Sequence, residues 1–177
     1  MSLSIQEKIK SVIRDVPNFP KEGILFKDIT PILLNPTLVN ELVAAMADQF
    51  KNDEIDAVAG IESRGYLFGI LLAQKLQVPF IMIRKEGKLP AKTIKESYDL
   101  EYGSATIEVH EDAITPNSNV LIHDDLLATG GTAIAAAKLI QQKAKVVGFS
   151  FVIELEFLKG IDHLNKINTH TKSLIKY

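Results

Sequence analysis

Apolar positions along the chain fall alternately into helical and strand periods. Ile5, Ile9, Val12, Ile13 and Val16 recur at helical spacing behind Ser4-Ile5-Gln6-Glu7, which has the form of a capping box. This predicts a helix ending before Pro17. Asn35 and Pro36 then open a second helix as N-cap and first-turn residue, with Leu38, Leu42, Met46 and Phe50, beside Val39, Val43 and Ala47, as its buried stripe. Residues 55–61 read as a strand, 62–65 as a turn and 66–76 as a helix. Residues 78–84 form a third apolar run, and 104–110 alternate in part, as a pairing strand does. Val120-Leu121-Ile122 suits a strand buried on both faces. A stretch of helix formers follows at 133–142, then a buried parallel strand at 145–155. The segment around Leu158-Lys159-Gly160 and residues 173–176 are left to finish the sheet or to cover it. Strands alternating with helices predict one α/β domain over residues 1–177, built on a parallel sheet flanked by helices.

Two stretches break the pattern. Residues 19–31 are punctuated by Pro and Gly and read as a loop or short irregular strand, with Ile24, Leu25, Phe26 and Ile29 partly buried. From Lys85 to Gly103 periodicity dissolves among charges, Gly87 and Pro90. A loop of that length in a compact domain is usually functional or disordered; its bland reading is a solvated hairpin, its functional one a lid that excludes water.

Composition narrows the class. The 177 residues suffice for one domain with a sizeable core, and the formal charge of −2 supplies no basic field to draw nucleic acid. No apolar run reaches transmembrane length, and the amphipathic start differs from a signal peptide. Without cysteine there is neither a disulfide framework nor a Cys-ligated zinc site, and a cytoplasmic protein is expected. His110, His123, His163 and His170 lack metal-ligand spacing, and His123, mid-strand, reads as a packed core histidine.

Candidate chemistry concentrates at Asn119 to Thr132. The strand ends in adjacent carboxylates, Asp124 and Asp125. Ala128-Thr129-Gly130-Gly131-Thr132 follows and opens a helix. Glycines expose backbone N–H groups, threonines add hydroxyls, and a helix N-terminus favours a phosphate. The carboxylates repel a phosphate and suit hydroxyl groups, a developing cation or a metal ion. A ligand with a phosphate at one end and a diol at the other, such as a ribose 5-phosphate, fits both halves. A Walker A loop would need a Lys after Gly131, and a dinucleotide fingerprint would need Gly-x-Gly-x-x-Gly; both are absent. Taken alone, Gly-Gly-Thr is as often an ordinary strand–helix connection. Glu62-Ser63-Arg64-Gly65, taken alone, favours a surface pairing of Arg64 with Glu62 over a pyrophosphate loop.

The run Asp-Asp-Leu-Leu-Ala-Thr-Gly-Gly-Thr resembles the phosphoribosyl diphosphate signature of the type I phosphoribosyltransferases, in the form of their adenine-specific branch. Matches extend from Phe19 to Thr132. The resemblance implies a small N-terminal hood, about residues 1–34, and a flexible lid, about 85–103. It makes Glu62-Ser63-Arg64-Gly65 the pyrophosphate loop, with a cis peptide at Glu62–Ser63. It implies that Phe26 packs on the purine, the backbone at Leu25 bonds the adenine edge, and Lys27 stands where relatives often carry Arg. Gly-Lys-Leu-Pro and Leu-Glu-Tyr-Gly in the lid match the same branch. Glu101 then holds the place of the catalytic acid beside Asp124 and Asp125. Tyr102, Leu126, Ala128, Thr129, Gly130, Gly131 and Thr132 join the substrate contacts, with Arg64, Arg84 and Lys88 facing diphosphate. The implied reaction turns adenine and 5-phosphoribosyl 1-diphosphate into AMP and diphosphate, with magnesium carried on the diphosphate substrate, in a homodimer without nucleic-acid or membrane partners. Transfer to another purine base (hypoxanthine, guanine or xanthine) and a non-catalytic regulator that binds the diphosphate substrate stay open. The first helix is far too short for a DNA-binding domain, which speaks against the regulator.

Overall fold

In a computed structural model that describes residues 3–99, 104–168 and 170–177, Ser4 caps α1 (Ile5–Val12) through the expected reciprocal bonds with Glu7. The helix stops earlier than its apolar spacing predicts. Ile13 turns extended, and Arg14–Pro17 form β1, antiparallel to β2 (Leu25–Asp28). Val16, which continues the helical period, instead pairs with Phe26 across this hairpin. Tertiary pairing outweighs a one-turn extension of helix. Between the strands, Asn18 takes a left-handed conformation and its Oδ1 accepts the Gly23 N–H at 3.0 Å. The short α2 (Thr30–Leu33) leads to α3 (Pro36–Asp48), whose cap Asn35 accepts from the Leu38 N–H at 3.1 Å.

The main sheet has seven strands in the order β5-β6-β4-β3-β7-β8-β9. Five are parallel: β4 (Phe80–Lys85), β3 (Ala57–Ile61), β7 (Asn119–Leu127), β8 (Lys145–Glu154) and β9 (Thr171–Lys176). β6 (Ser104–His110) and β5 (Thr93–Asp99) add an antiparallel edge. One face carries α1, α3 and α4 (Gly65–Leu76) over a core that includes Leu42, Met46, Phe68, Leu72 and Leu121. The other carries α5 (Gly131–Gln141) and α6 (Gly160–Leu164), whose small residues Ala133, Ala136 and Ala137 pack on Ile122, Phe149 and Phe151. β7, the middle one of the five parallel strands, is covered on both sides, which explains its unbroken apolar run.

β5 occupies part of the stretch expected to lack regular structure. Its inward face is Ile94, Glu96 and Tyr98, and the carboxylate in the middle, 4.0 Å from Lys138, hides the two-residue period. β9 completes the sheet rather than the hood. Glu101 and Tyr102 lie outside the described residues. No helix among the described residues is long and apolar enough to cross a membrane.

Candidate active site

The carboxyl ends of β3, β4 and β7 converge on one crevice, the usual ligand position in an open parallel sheet. β7 runs on through both aspartates to Leu127, so Asp124 and Asp125 point to opposite faces of a strand rather than lying in the loop after it. Asp125 is 3% exposed and Asp124 half-buried. Asp124 Oδ1 accepts the Asp125 N–H at 2.9 Å. Gly65, the first residue of α4, allows this approach: a Cβ there would lie 2.9 Å from Asp124 Oδ1. Burial lifts the Asp124 carboxyl well above the ordinary range, and the charge of Asp125 lifts it further. Burial also raises Asp125, against the opposing pull of Arg64.

Arg64 crosses the crevice. Its Nε is 3.0 Å from Asp125 Oδ2, but without the alignment of a hydrogen bond, and that buried oxygen has no hydrogen-bond partner among the described residues. A buried carboxylate oxygen that faces a cation but accepts no hydrogen bond is poorly satisfied and fits a ligand hydroxyl. The Arg64 guanidinium also lies 5.1 Å from the centre of the Phe26 ring, so it links the β1–β2 hairpin and the acidic pair. Phe26 meets Phe19 edge to face at 5.1 Å, which gives the hairpin an aromatic pair beside Arg64.

The bland pairing of Arg64 with Glu62 does not occur. Glu62 instead gathers Arg84 Nε at 3.2 Å, Lys88 Nζ and the Lys85 N–H at 3.0 Å. Burial alone would raise the Glu62 carboxyl, but the bonds from Lys88, Lys85 and Arg84 outweigh it and hold the group down to about 2. Arg84 also donates to the Lys88 carbonyl at 3.1 Å. Thus Arg84 and Lys88, expected at the diphosphate, stand together on a common carboxylate. The Glu62–Ser63 peptide is cis. Behind this group Glu108, 2% exposed, accepts from Lys88 N–H, Leu89 N–H and Thr93 Oγ1 and ties down the segment that leads into β5. The organising roles of Glu62 and Glu108 are not legible in sequence, because their partners lie about twenty residues away across paired strands.

After β7 the chain turns through Gly130 at φ 85, a conformation that disfavours side chains. Its packing is close as well, since a Cβ would lie 3.1 Å from the Gly160 carbonyl. Gly131 then begins α5, so the N–H groups of its first turn point into the loop. The Thr129 carbonyl accepts from His163 Nδ1 at 3.0 Å, which braces the loop from α6; no motif singles out His163. Asp124, Leu126, Ala128, Thr129, Gly131 and Thr132 are among the residues lining a cavity of about 80 Å³, larger than one water needs. Amide donors, two hydroxyls and a positive dipole end make this an anion cradle beside the acidic pair.

Leu25 lies on β2, paired with Pro17, next to Phe26. Lys27 is not brought into the crevice. Its Nζ lies 2.7 Å from Asp15 Oδ1, on the opposite face of the hairpin. His123 is fully buried, 3.3 Å from Ser150 Oγ through Nδ1, and burial drives its imidazole down to about 3; it is core, as expected.

The phosphoribosyl transferase domain matches residues 29–169. The adenine phosphoribosyltransferase of Cytophaga hutchinsonii is 51% identical over 174 residues, covering 98% of this chain and 96% of that one. The same enzyme from Thermobifida fusca is 50% identical over 165 residues, 93% of this chain and 94% of its own. The crystal structure of adenine phosphoribosyltransferase from Thermoanaerobacter pseudethanolicus superposes with a TM-score of 0.94 at 44% identity, covering 98% of this chain and all of that one. The Saccharomyces cerevisiae enzyme, solved with an imino-altritol bisphosphate and adenine, gives 0.89 at 43% identity, over 97% and 98% of the two chains. With coverage this complete, the chain belongs to the adenine phosphoribosyltransferase family of the type I phosphoribosyltransferase fold.

Proposed function

We propose that the protein transfers the phosphoribosyl group of 5-phosphoribosyl 1-diphosphate to adenine, giving AMP and diphosphate. The observation that carries this reading is the juxtaposition at the end of β7. An acidic pair in which the buried Asp125 Oδ2 accepts no hydrogen bond among the described residues adjoins an anion cradle, with a cationic group across the crevice and an aromatic surface above it.

In the reaction a bond forms between the purine imidazole nitrogen and the ribose ring carbon, and the bond from that carbon to diphosphate breaks. Thr129, Gly130, Gly131, Thr132 and the α5 N-terminus hold the 5-phosphate, with Leu126 and Ala128 shaping the same loop. Asp124 and Asp125 accept from the ribose hydroxyls and favour positive charge building on the ring carbon. Arg64, Arg84 and Lys88 take up the charge of the departing diphosphate, the last two by exchanging Glu62 for it. Phe26 packs on the purine, and the Leu25 backbone bonds its edge. Magnesium, carried on the oxygens of the diphosphate substrate, would neutralise the leaving group. Glu101, with Tyr102 in the lid, manages the imidazole proton. Glu101→Gln is expected to cut turnover by about 10² to 10⁴, with the diphosphate substrate bound as before, when single-turnover rates and affinity are compared.

The reading extends to a homodimer. α4 leaves the apolar residues Leu67 and Ile70 exposed, and β4, which it packs against, leaves Met82 exposed, residues suited to burial by a second copy. Sedimentation should give twice the 19.6 kDa chain mass. A cytoplasmic setting goes with substrates whose charged phosphates do not cross membranes.

Base choice tests the assignment. A backbone group that bonds one purine edge is left unpaired against the other, and such mismatches discriminate by about 10⁴ or more. Steady-state assays with adenine, hypoxanthine, guanine, xanthine and uracil should show adenine ahead by that order. Comparable use of guanine would refute it.

A further inference from the structure

Residue Tyr177 follows β9, far from the crevice in sequence and outside the motifs that mark the site. Its backbone is held on both sides: its N–H donates to the Glu154 carbonyl at 3.0 Å, and its carbonyl accepts the Glu156 N–H at 2.9 Å. The ring is therefore fixed to the main sheet. Two cations of the N-terminal segment lie against it, Lys27 Nζ at 4.1 Å and Lys10 Nζ at 5.2 Å from its centre. Lys27 is also bonded to Asp15 at 2.7 Å, and its side chain is only 10% exposed. An ammonium desolvated over an aromatic face is held more firmly than one in water. Burial, and then the charge of Asp15, push the Tyr177 phenol up, as expected for a ring enclosed by this group. α1, β1 and β2 thus meet the main sheet at one ring.

We infer that Tyr177 is a positioning residue for base binding, acting through Lys27 to set the hood hairpin above the crevice. Phe26 and Lys27 are consecutive on β2, so their side chains leave opposite faces. Clasping Lys27 on the outer face fixes the height and tilt of Phe26 on the inner one, where it meets Arg64. The 5-phosphate cradle on α5 has no part in this linkage. Lys27 accordingly serves the purine from behind the hairpin instead of touching it. The inference rests on the adenine reading above, in which Phe26 packs on the base.

Tyr177→Leu removes the ring's electrostatic face and keeps apolar bulk, whereas Tyr177→Phe keeps the face and drops only the hydroxyl. Tyr177→Leu is expected to raise the adenine KM about tenfold and leave the diphosphate-substrate KM within about twofold, with Tyr177→Phe close to the parent protein. Amide hydrogen exchange at residues 25–28 should rise in Tyr177→Leu and stay unchanged in β7. Lys27→Met, which keeps the ring and removes the cation, should reproduce both effects and serves if Tyr177→Leu does not fold. Both KM values rising together, equal damage from Tyr177→Phe, or unchanged exchange at 25–28 would overturn the clasp. A parent protein that fails to use adenine would instead overturn the assigned reaction, and the exchange data would still decide the clasp.

Discussion

Gly131→Val is expected to lower affinity for the diphosphate substrate by at least about 100-fold while the melting temperature stays near that of the parent. Glycine at this position serves no need of the fold. Its φ lies outside the left-handed region, and a Cβ there would find only Thr129 Oγ1, at 4.0 Å. At the first residue of α5, glycine is a poorer helix former than almost any alternative. Open space in front of helix N–H groups therefore points to a ligand that comes close to the backbone. A branched side chain fills that space and holds a phosphate away from its donors. Gly130 contrasts with this, since its positive φ and the Gly160 carbonyl make it a requirement of the turn itself. Calorimetric titration and thermal melting on the same variant separate the roles. Unchanged affinity in a normally folded Gly131→Val protein would remove the cradle from the site.

Asp124→Asn should move stability and activity in opposite directions. The Asp124 carboxyl keeps its proton in the folded chain well above the ordinary aspartate value of 3.8, because burial and the neighbouring Asp125 disfavour its charge. Between 3.8 and that raised value the folded state binds more protons than the unfolded one, so stability falls as pH rises through the window. Asparagine keeps the oxygen that accepts the Asp125 N–H and removes the charge. The variant should melt about 2–4 °C higher at pH 7, the shift that ~1 kcal/mol produces at this chain length. The gain should vanish below the unfolded carboxyl value, where both side chains are neutral. Turnover should fall by about 10² to 10³, the usual loss when one preorganised electrostatic group is removed from a reacting centre. Melting curves from pH 3 to 8 and single-turnover rates check the two halves. A variant that is less stable at pH 7, or fully active, would contradict the strained-pair account.

The elements that position the crevice were legible because their signals are local. The Ser4 box, the Asn35 cap and the doubly buried Val120-Leu121-Ile122 run each announce themselves within a few residues. So did the Thr129–Thr132 turn, whose composition carries its own chemistry. What escaped depends on distant partners. Val16 continues a helical period yet joins a strand because Phe26 lies opposite it. β5 was obscured by Glu96, a charge on the inward face that Lys138 of α5 approaches. Lys27 stands next to Phe26 in sequence, and strand geometry alone sends it to the other side, where Asp15 and Tyr177 receive it. Glu62 reads as a neighbour of Arg64, but the turn into α4 parts the two and the end of β4 supplies its partners.

Group transfer to adenine can be followed by phosphorus NMR of a stoichiometric mixture. Protein, magnesium, adenine and 5-phosphoribosyl 1-diphosphate should yield AMP and diphosphate in equal amounts, one of each per adenine consumed. A diphosphate substrate that binds but persists unchanged, or that gives ribose 5-phosphate without AMP, would contradict the account.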